Sequence, residues 1–204
     1  MAINATGSED AWQRQCLIEV TDGTSTMAMH ALTSTVDIGM GERELDMIPL
    51  LNLGQIPKHG AIGMTTLTFE GYAKQAGSAA TGTGVGFWDI FANKPVTDAS
   101  QPLDVDISNT LTRYRVSVMW TDDPAATTAG GSTAVSTSAK RFVMAECFAV
   151  SCVQDFTDGI VKTTISFKGV AFDKTGDPNI KMESGAATAM VALGAYTAGT
   201  TKWA

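Results

Sequence analysis

The dipeptide Asp158-Gly159 sits between two long stretches that alternate with period two, Arg141 to Thr157 and Ile160 to Phe172. Asp-Gly is the preferred pair for a two-residue turn between antiparallel strands, so a register can be counted outward from it. Thr157 then faces Ile160, Phe156 faces Val161, Asp155 faces Lys162, Cys152 faces Ile165 and Val150 faces Phe167. One face of this hairpin collects Phe148, Val150, Cys152, Phe156, Val161, Ile165 and Phe167. The other sets Val143, Ala145, Cys147, Ala149, Ser151 and Val153 against Lys162, Thr164, Ser166 and Lys168. A slip of one residue would mix the two sets, so their separation supports turn and register together. Glu146 falls on the apolar face and breaks the pattern.

Three further strands read in the same way. Gln15 to Val20 runs into a Thr-Asp-Gly-Thr turn; Met64 to Tyr72 sets Leu67 and Phe69 against Thr66, Thr68 and Glu70; Thr110 to Thr121 sets Tyr114, Val116, Val118 and Trp120 against Arg113, Arg115 and Ser117. Each has one apolar face to cover, which predicts a mainly β fold, an antiparallel sandwich or barrel. One short helix is expected in Gly-Phe-Trp-Asp-Ile-Phe-Ala-Asn, where Phe87, Ile90 and Phe91 share a stripe able to cap the β core.

Two segments do not read as part of a compact core. Val36 to Ile62 is a long loop with several Gly and Pro residues, the charged cluster Glu42, Arg43, Glu44 and Asp46, and the apolar Met47, Ile48, Leu50, Leu51, Leu53 and Ile56. So much exposed apolar surface is an aggregation hazard in a monomer, so another subunit is expected to cover it. Gly185 to Ala204, rich in Ala, Thr and Gly, reads as a C-terminal extension that orders on assembly.

With 204 residues the chain can bury one substantial core, and we read a single domain over 1–204. The net charge of −7 disfavours a protein that grips nucleic acid by neutralising phosphates. No apolar run approaches the length that spans a bilayer. The N-terminus shows no signal peptide, so synthesis in the cytoplasm is expected. Three cysteines make no disulfide framework, and Cys147 and Cys152 differ in strand parity; with only two histidines, zinc and acid–base chemistry have little to draw on.

Several motifs have plainer readings. Asp173-Lys174-Thr175-Gly176 matches the start of the phosphorylated aspartate motif of P-type ATPases, but Asp177 follows where that motif has Thr, and the residues suit a turn. Gly82-Thr83-Gly84-Val85-Gly86 lacks the Gly-Lys-Ser/Thr of a phosphate loop. Asp173, Asp177 and Asn179, or Asp104 with Asp106, fall short of a closed oxygen cage. No nucleophile elbow surrounds a serine. No cofactor, metal or catalytic residue is expected.

Taken in order, the long loop, the strand Thr65-Thr-Leu-Thr-Phe-Glu-Gly-Tyr72, the helix around Phe87-Trp-Asp-Ile-Phe91, the Asp158-Gly159 hairpin and the strand Thr164-Ile-Ser-Phe-Lys-Gly169 resemble the major tail tube protein of long-tailed bacteriophages and archaeal tailed viruses. The resemblance implies a structural virion protein made in the host cytoplasm, with subunits in rings, usually of six, stacked into a tube that delivers the genome. Its partners would be itself, proteins of the tail tip and terminator, and viral DNA passing without specific binding. Contacts between rings would fall on Glu42, Arg43, Glu44, Asp46, Met47, Ile48, Leu50, Leu51 and Leu53. The lumen would be lined by Thr66, Thr68, Glu70, Ala149, Ser151, Thr164, Ser166 and Lys168. The inner tube of a contractile injection machine is a neighbouring reading. A β-sandwich module that binds a ligand or cell surface through its loops is a different one.

Overall fold

A computed structural model describes residues 15–31, 36–40, 45–50, 54–59, 63–72, 85–97, 104–121, 129–130, 139–156, 162–172, 175–185 and 192–197. In chain order the elements are β1 (Gln15–Thr21), β2 (Thr26–Ala31), β3 (Asp37–Met40), β4 (Leu45–Pro49), β5 (Gln55–His59), β6 (Thr65–Tyr72), α1 (Phe87–Ala92), β7 (Tyr114–Thr121), β8 (Ala139–Asp155), β9 (Lys162–Gly169) and β10 (Ile180–Gly185). The expected mainly β, antiparallel fold with one short helix is what forms.

The main sheet is eight-stranded, in the order β10-β8-β7-β1-β2-β6-β3, and β9 pairs with both β6 and β8. That double pairing closes the sheet on itself, which removes most of its free edges. The interior takes Ile18 and Val20 from β1, Leu67 and Phe69 from β6, Val116 and Val118 from β7, and Ile165 and Phe167 from β9, all fully buried. Phe167 is the hub: it stacks on Phe69 at 6.1 Å between ring centroids and meets Tyr114 edge-on at 5.9 Å.

Helix α1 packs on this core through Phe87 and Ile90, while Phe91, expected beside them, is 48% exposed. With so short a helix, two side chains reach the core and the third faces out. Asp89 fixes its start, accepting from the Gly86 N–H at 3.0 Å and the Val96 N–H at 2.8 Å. Asn93 ends it in the left-handed conformation, φ 56°.

β8 departs from the counted register. Asp155 opposite Lys162 and Cys152 opposite Ile165 are as expected, but Phe167 lies opposite Ala149 and not Val150. A bulge between Ala149 and Ser151 leaves Val150 as an extra residue, and a second irregularity falls where Cys147 pairs with Tyr114 and Met144 with Val116. Each inserted residue reverses which side chains point inward, so Phe142 and Met144, then Cys147 and Ala149, then Cys152 meet the core. Val150 and Phe156, expected in the core, are 48% and 68% exposed. The first irregularity also takes Glu146 off the core face. The turn residues 157–161, Asp158-Gly159 and Val161 among them, lie outside the described residues.

The bulged backbone is braced from the β9–β10 connection. Asn179, buried, donates through Nδ2 to the carbonyls of Glu146 and Val170, each at 2.8 Å, and accepts through Oδ1 from the Glu146 N–H at 2.8 Å. Its carbonyl takes the Ala145 N–H and its N–H reaches Ala171 O, both at 2.9 Å. A Cβ on the neighbouring Gly169 would sit 2.6 Å from Glu146 O, so only glycine fits there.

Candidate functional site

The described residues of Val36 to Ile62 form strands where a long loop was expected. β3 joins the main sheet beside β6, with Asp37 opposite Thr68 and Gly39 opposite Thr66. β4 and β5 form a separate two-stranded sheet, with Asp46 opposite Lys58, Met47 opposite Pro57 and Ile48 opposite Ile56. Prolines are tolerated because, among the described residues, no further strand pairs with either edge of the ribbon, and the Leu50 N–H closes its tip on Gly54 O at 2.8 Å. Every described side chain of β4 is exposed. Leu45, Met47, Ile48, Leu50 and Ile56 are each about half exposed, at 57%, 49%, 47%, 47% and 51%. An isolated two-stranded ribbon is marginal in water, and this one exposes apolar side chains on both faces, Met47 with Pro57 on one and Ile48 with Ile56 beside Asp46 and Lys58 on the other. Of the expected inter-ring residues, Asp46, Met47, Ile48 and Leu50 fall here; Glu42, Arg43, Glu44, Leu51 and Leu53 lie outside the described residues.

The second surface is the polar face of β6, β9 and the end of β8. Register brings Thr66 opposite Lys168, Thr68 opposite Ser166 and Glu70 opposite Thr164, while Ser151 follows opposite Ser166 from β8. The Thr68 and Ser166 hydroxyls bond at 2.9 Å. Glu70 pairs with Lys162 at 3.7 Å and not with Lys168, because Lys162 lies one step from Glu70's own partner. This pair is partly exposed and contributes little to stability. Ala149 does not belong to the face: the bulge turns it onto the core, and Phe148 takes the place opposite Lys168. Seven of the eight expected residues are therefore brought together, as a hydroxyl-rich surface with Lys168 exposed.

A third region was not legible in the sequence. The outward face of β1, β7 and β8, carrying Glu19, Arg115, Ser117 and Arg141, is buried. Residues 129–130 and 192–197 cover it. Glu19 accepts the Gly130 N–H at 3.0 Å, Arg115 donates to Gly194 O at 3.0 Å and stands 5.2 Å over the Tyr196 ring, and Arg141 bonds Glu183 at 2.7 Å. The described part of the C-terminal extension, expected to order on assembly, thus lies on this chain's own sheet. The signal was three ionisable residues on adjacent strands, but their partners come from segments distant in the chain.

Burial pushes the Cys16 and Cys152 thiols up to about 12 and holds the Cys147 thiol well above its ordinary value, so none is a ready thiolate. Asp106 and Asp177 are engaged in turns with Ser108 and Thr175, Asp104 pairs with Lys94, and Asn179 is the brace described above. Asp173 lies outside the described residues. No group of three His, Cys, Asp or Glu among the described residues could hold a metal.

No family model matches the chain, and no curated protein does. Solved structures do. A chain of the six-fold symmetrised cryo-EM structure of the anti-feeding prophage (AFP) baseplate matches with a TM-score of 0.50 and 8% identity, over 85% of this chain and 95% of its own. A chain of the sheath–tube complex of PVC, an extracellular contractile injection system in its extended state, matches with a TM-score of 0.48 and 10% identity, over 91% of this chain and all of its own. At such identity the likeness is one of fold.

Proposed function

We propose that the chain is a structural subunit of a phage-tail-like particle, in which copies close into rings, six to a ring, and the rings stack into a tube that conducts a genome or other cargo. The observation that carries this reading is the β4–β5 ribbon: it shows exposed apolar side chains on both faces, beside the opposed Asp46 and Lys58, and among the described residues it pairs with no strand of the barrel. A surface of this kind is a liability in a monomer and a contact in an assembly. The fold it shares with a chain of a six-fold symmetrised baseplate supports the same reading.

In this reading the ribbon and the flanking Glu42, Arg43, Glu44, Leu51 and Leu53 bridge stacked rings. The face of Thr66, Thr68, Glu70, Ser151, Thr164, Ser166 and Lys168 lines the channel. Hydroxyls with few fixed cations, on a chain of net charge −7, would give passing phosphates little to bind. The role is structural, without catalysis. Partners are other copies and the proteins of the tail tip and terminator, and the protein resides in the tail of the particle. Negative-stain electron microscopy tests the reading directly. Rings or tubes should form, alone or on an initiating tail-tip complex; particles that stay monomeric at high concentration with that initiator present would favour a loop-based binding module instead.

A further inference from the structure

The hydrogen-bond phase of the β4–β5 ribbon follows from its tip. The Leu50 N–H donates to Gly54 O at 2.8 Å, and the ladder runs down from there with Pro49 opposite Gln55, Ile48 opposite Ile56, Met47 opposite Pro57, Asp46 opposite Lys58 and Leu45 opposite His59. In an antiparallel pair, opposed residues that bond each other alternate with opposed residues whose N–H and C=O point away, toward the outer edges. With Leu50 bonded to Gly54, the bonded rungs are Ile48 with Ile56 and Asp46 with Lys58. Pro49, Met47 and Leu45, and opposite them Gln55, Pro57 and His59, turn their main chain outward. Both prolines therefore stand where the ribbon itself needs no N–H, and each removes a donor from an outer edge.

The two edges are unequal. On β5 the missing N–H, that of Pro57, falls between the two that remain, Gln55 and His59. On β4 the missing one, that of Pro49, lies at the tip end, and the N–H groups of Leu45 and Met47 follow each other without a gap. An incoming strand meets a continuous row of donors and acceptors along Leu45 to Met47 and a broken row along β5. Among the described residues no strand takes up the β4 row.

The same chain carries a strand edge that fits it. β10 pairs among the described residues with β8 alone, and Ile180–Gly185 contains no proline. The Ala145 N–H bonds Asn179 O at 2.9 Å, one step before Ile180 stands opposite Met144. The same alternation then turns the main chain of Ile180, Met182 and Ser184 to the free side. Met182 is 79% exposed there. Side chains of directly opposed residues share a face, so strand pairing would set the half-exposed Leu45 and Met47 beside Met182 and Ile180.

We infer that the outer edge of β4 takes on strand β10 of the next copy by main-chain hydrogen bonding, and that β5 is the closed edge. This deepens the assembly reading above and rests on it: the two edges are different surfaces, so their union is a heterologous contact that repeats from copy to copy along a stack. Pro57 gives the ribbon its polarity. A β4 edge meets only a broken row on the β5 of another copy, which keeps ribbons from zipping into an endless sheet of their own.

Proline substitution tests the edge apart from the side chain. Met47→Pro and Leu45→Pro each delete an outward N–H at a position where the ribbon loses no bond of its own, whereas Met47→Ala and Leu45→Ala shorten the side chain and keep the N–H. Met182→Pro and Met182→Ala do the same on β10. Gln55→Pro strains the ribbon equally but acts on the closed edge. Electron microscopy of each should show tube growth reduced about tenfold in the β4 and β10 proline variants relative to their alanine counterparts, the effect of losing a main-chain hydrogen bond or two, while Gln55→Pro grows tubes as the unaltered protein does. Alanine variants as impaired as the proline ones would overturn strand addition in favour of a side-chain contact. Loss with Gln55→Pro as well would overturn the assignment of the open edge, and loss on β4 without loss in Met182→Pro would overturn β10 as the occupant. Normal tubes from every proline variant would overturn the pairing and leave the tube reading standing; unaltered protein that builds no tube with its initiator would overturn both.

Discussion

The side chain of Asn179 and the main chain of Glu146 are bonded reciprocally: Nδ2 donates to Glu146 O and Oδ1 accepts from the Glu146 N–H, each at 2.8 Å. The pairing imitates a rung of β-ladder at a place where β8 has slipped out of step. Asn179→Ala would leave the Glu146 N–H and two carbonyls without this partner in a buried site. We expect a loss of about 3 kcal/mol, since each stranded group costs roughly 1–3. Urea unfolding measures it, and a change under about 0.5 kcal/mol would mean that the bulge holds itself.

Replacing Met47 to Leu53 with a short Gly/Ser linker should leave the barrel folded, because among the described residues β4 and β5 pair only with each other, and should stop tube growth. Circular dichroism reports the first and electron microscopy the second. Tubes of normal length from the shortened chain would show that the ribbon is not the contact between rings.

Thr164→Arg and Ser166→Arg each add a cation to the polar face beside Glu70 or Thr68. Each cation offers a phosphate contact that releases counterions, so DNA passing through the tube should slow at low salt and recover as salt rises. Unchanged passage in well-formed tubes would place the channel on another face.

Glu183 binds both Arg141 and Lys181. Burial alone would raise its carboxyl, and the bonds from Lys181 and Arg141 together outweigh burial and lower it from 4.5. A depressed carboxyl stabilises the fold above its unfolded value, and that stability is lost as pH falls through the folded one. Thermal unfolding between pH 5 and pH 2 should therefore show an acid-side loss that Glu183→Gln diminishes, with the variant already weaker near pH 7. An identical profile for the two proteins would remove Glu183 from the acid response.

How far the sequence could be read depended on whether strict alternation held. β7 and β9 keep it, and there Val116, Val118, Ile165 and Phe167 point inward as the pattern requires. β8 keeps it only in stretches. A bulge adds one residue and reverses every side chain beyond it, so a count outward from Asp158-Gly159 holds to Ser151 and fails at Val150. Glu146 on the apolar side was the visible symptom. The ribbon was hidden for another reason: Pro49, Pro57 and the glycines of this segment read as breakers, whereas in a free hairpin they break nothing. The polar face survived almost whole because β6 and β9 set it. The buried Arg115 could not be found, because its cover, Gly194 and Tyr196, lies far along the chain.

β8 extends from Ala139 to Asp155 and shares ladders with β7 and β10 along its first part and with β9 along its last. A force pulling along this strand would load those hydrogen bonds side by side, in shear, where a force across it would open them one at a time like a zip. The barrel is therefore mechanically anisotropic, stiff along β8, and among the described residues its thinnest seam is where β2 meets β6 through the pair Ala31 and Gly71.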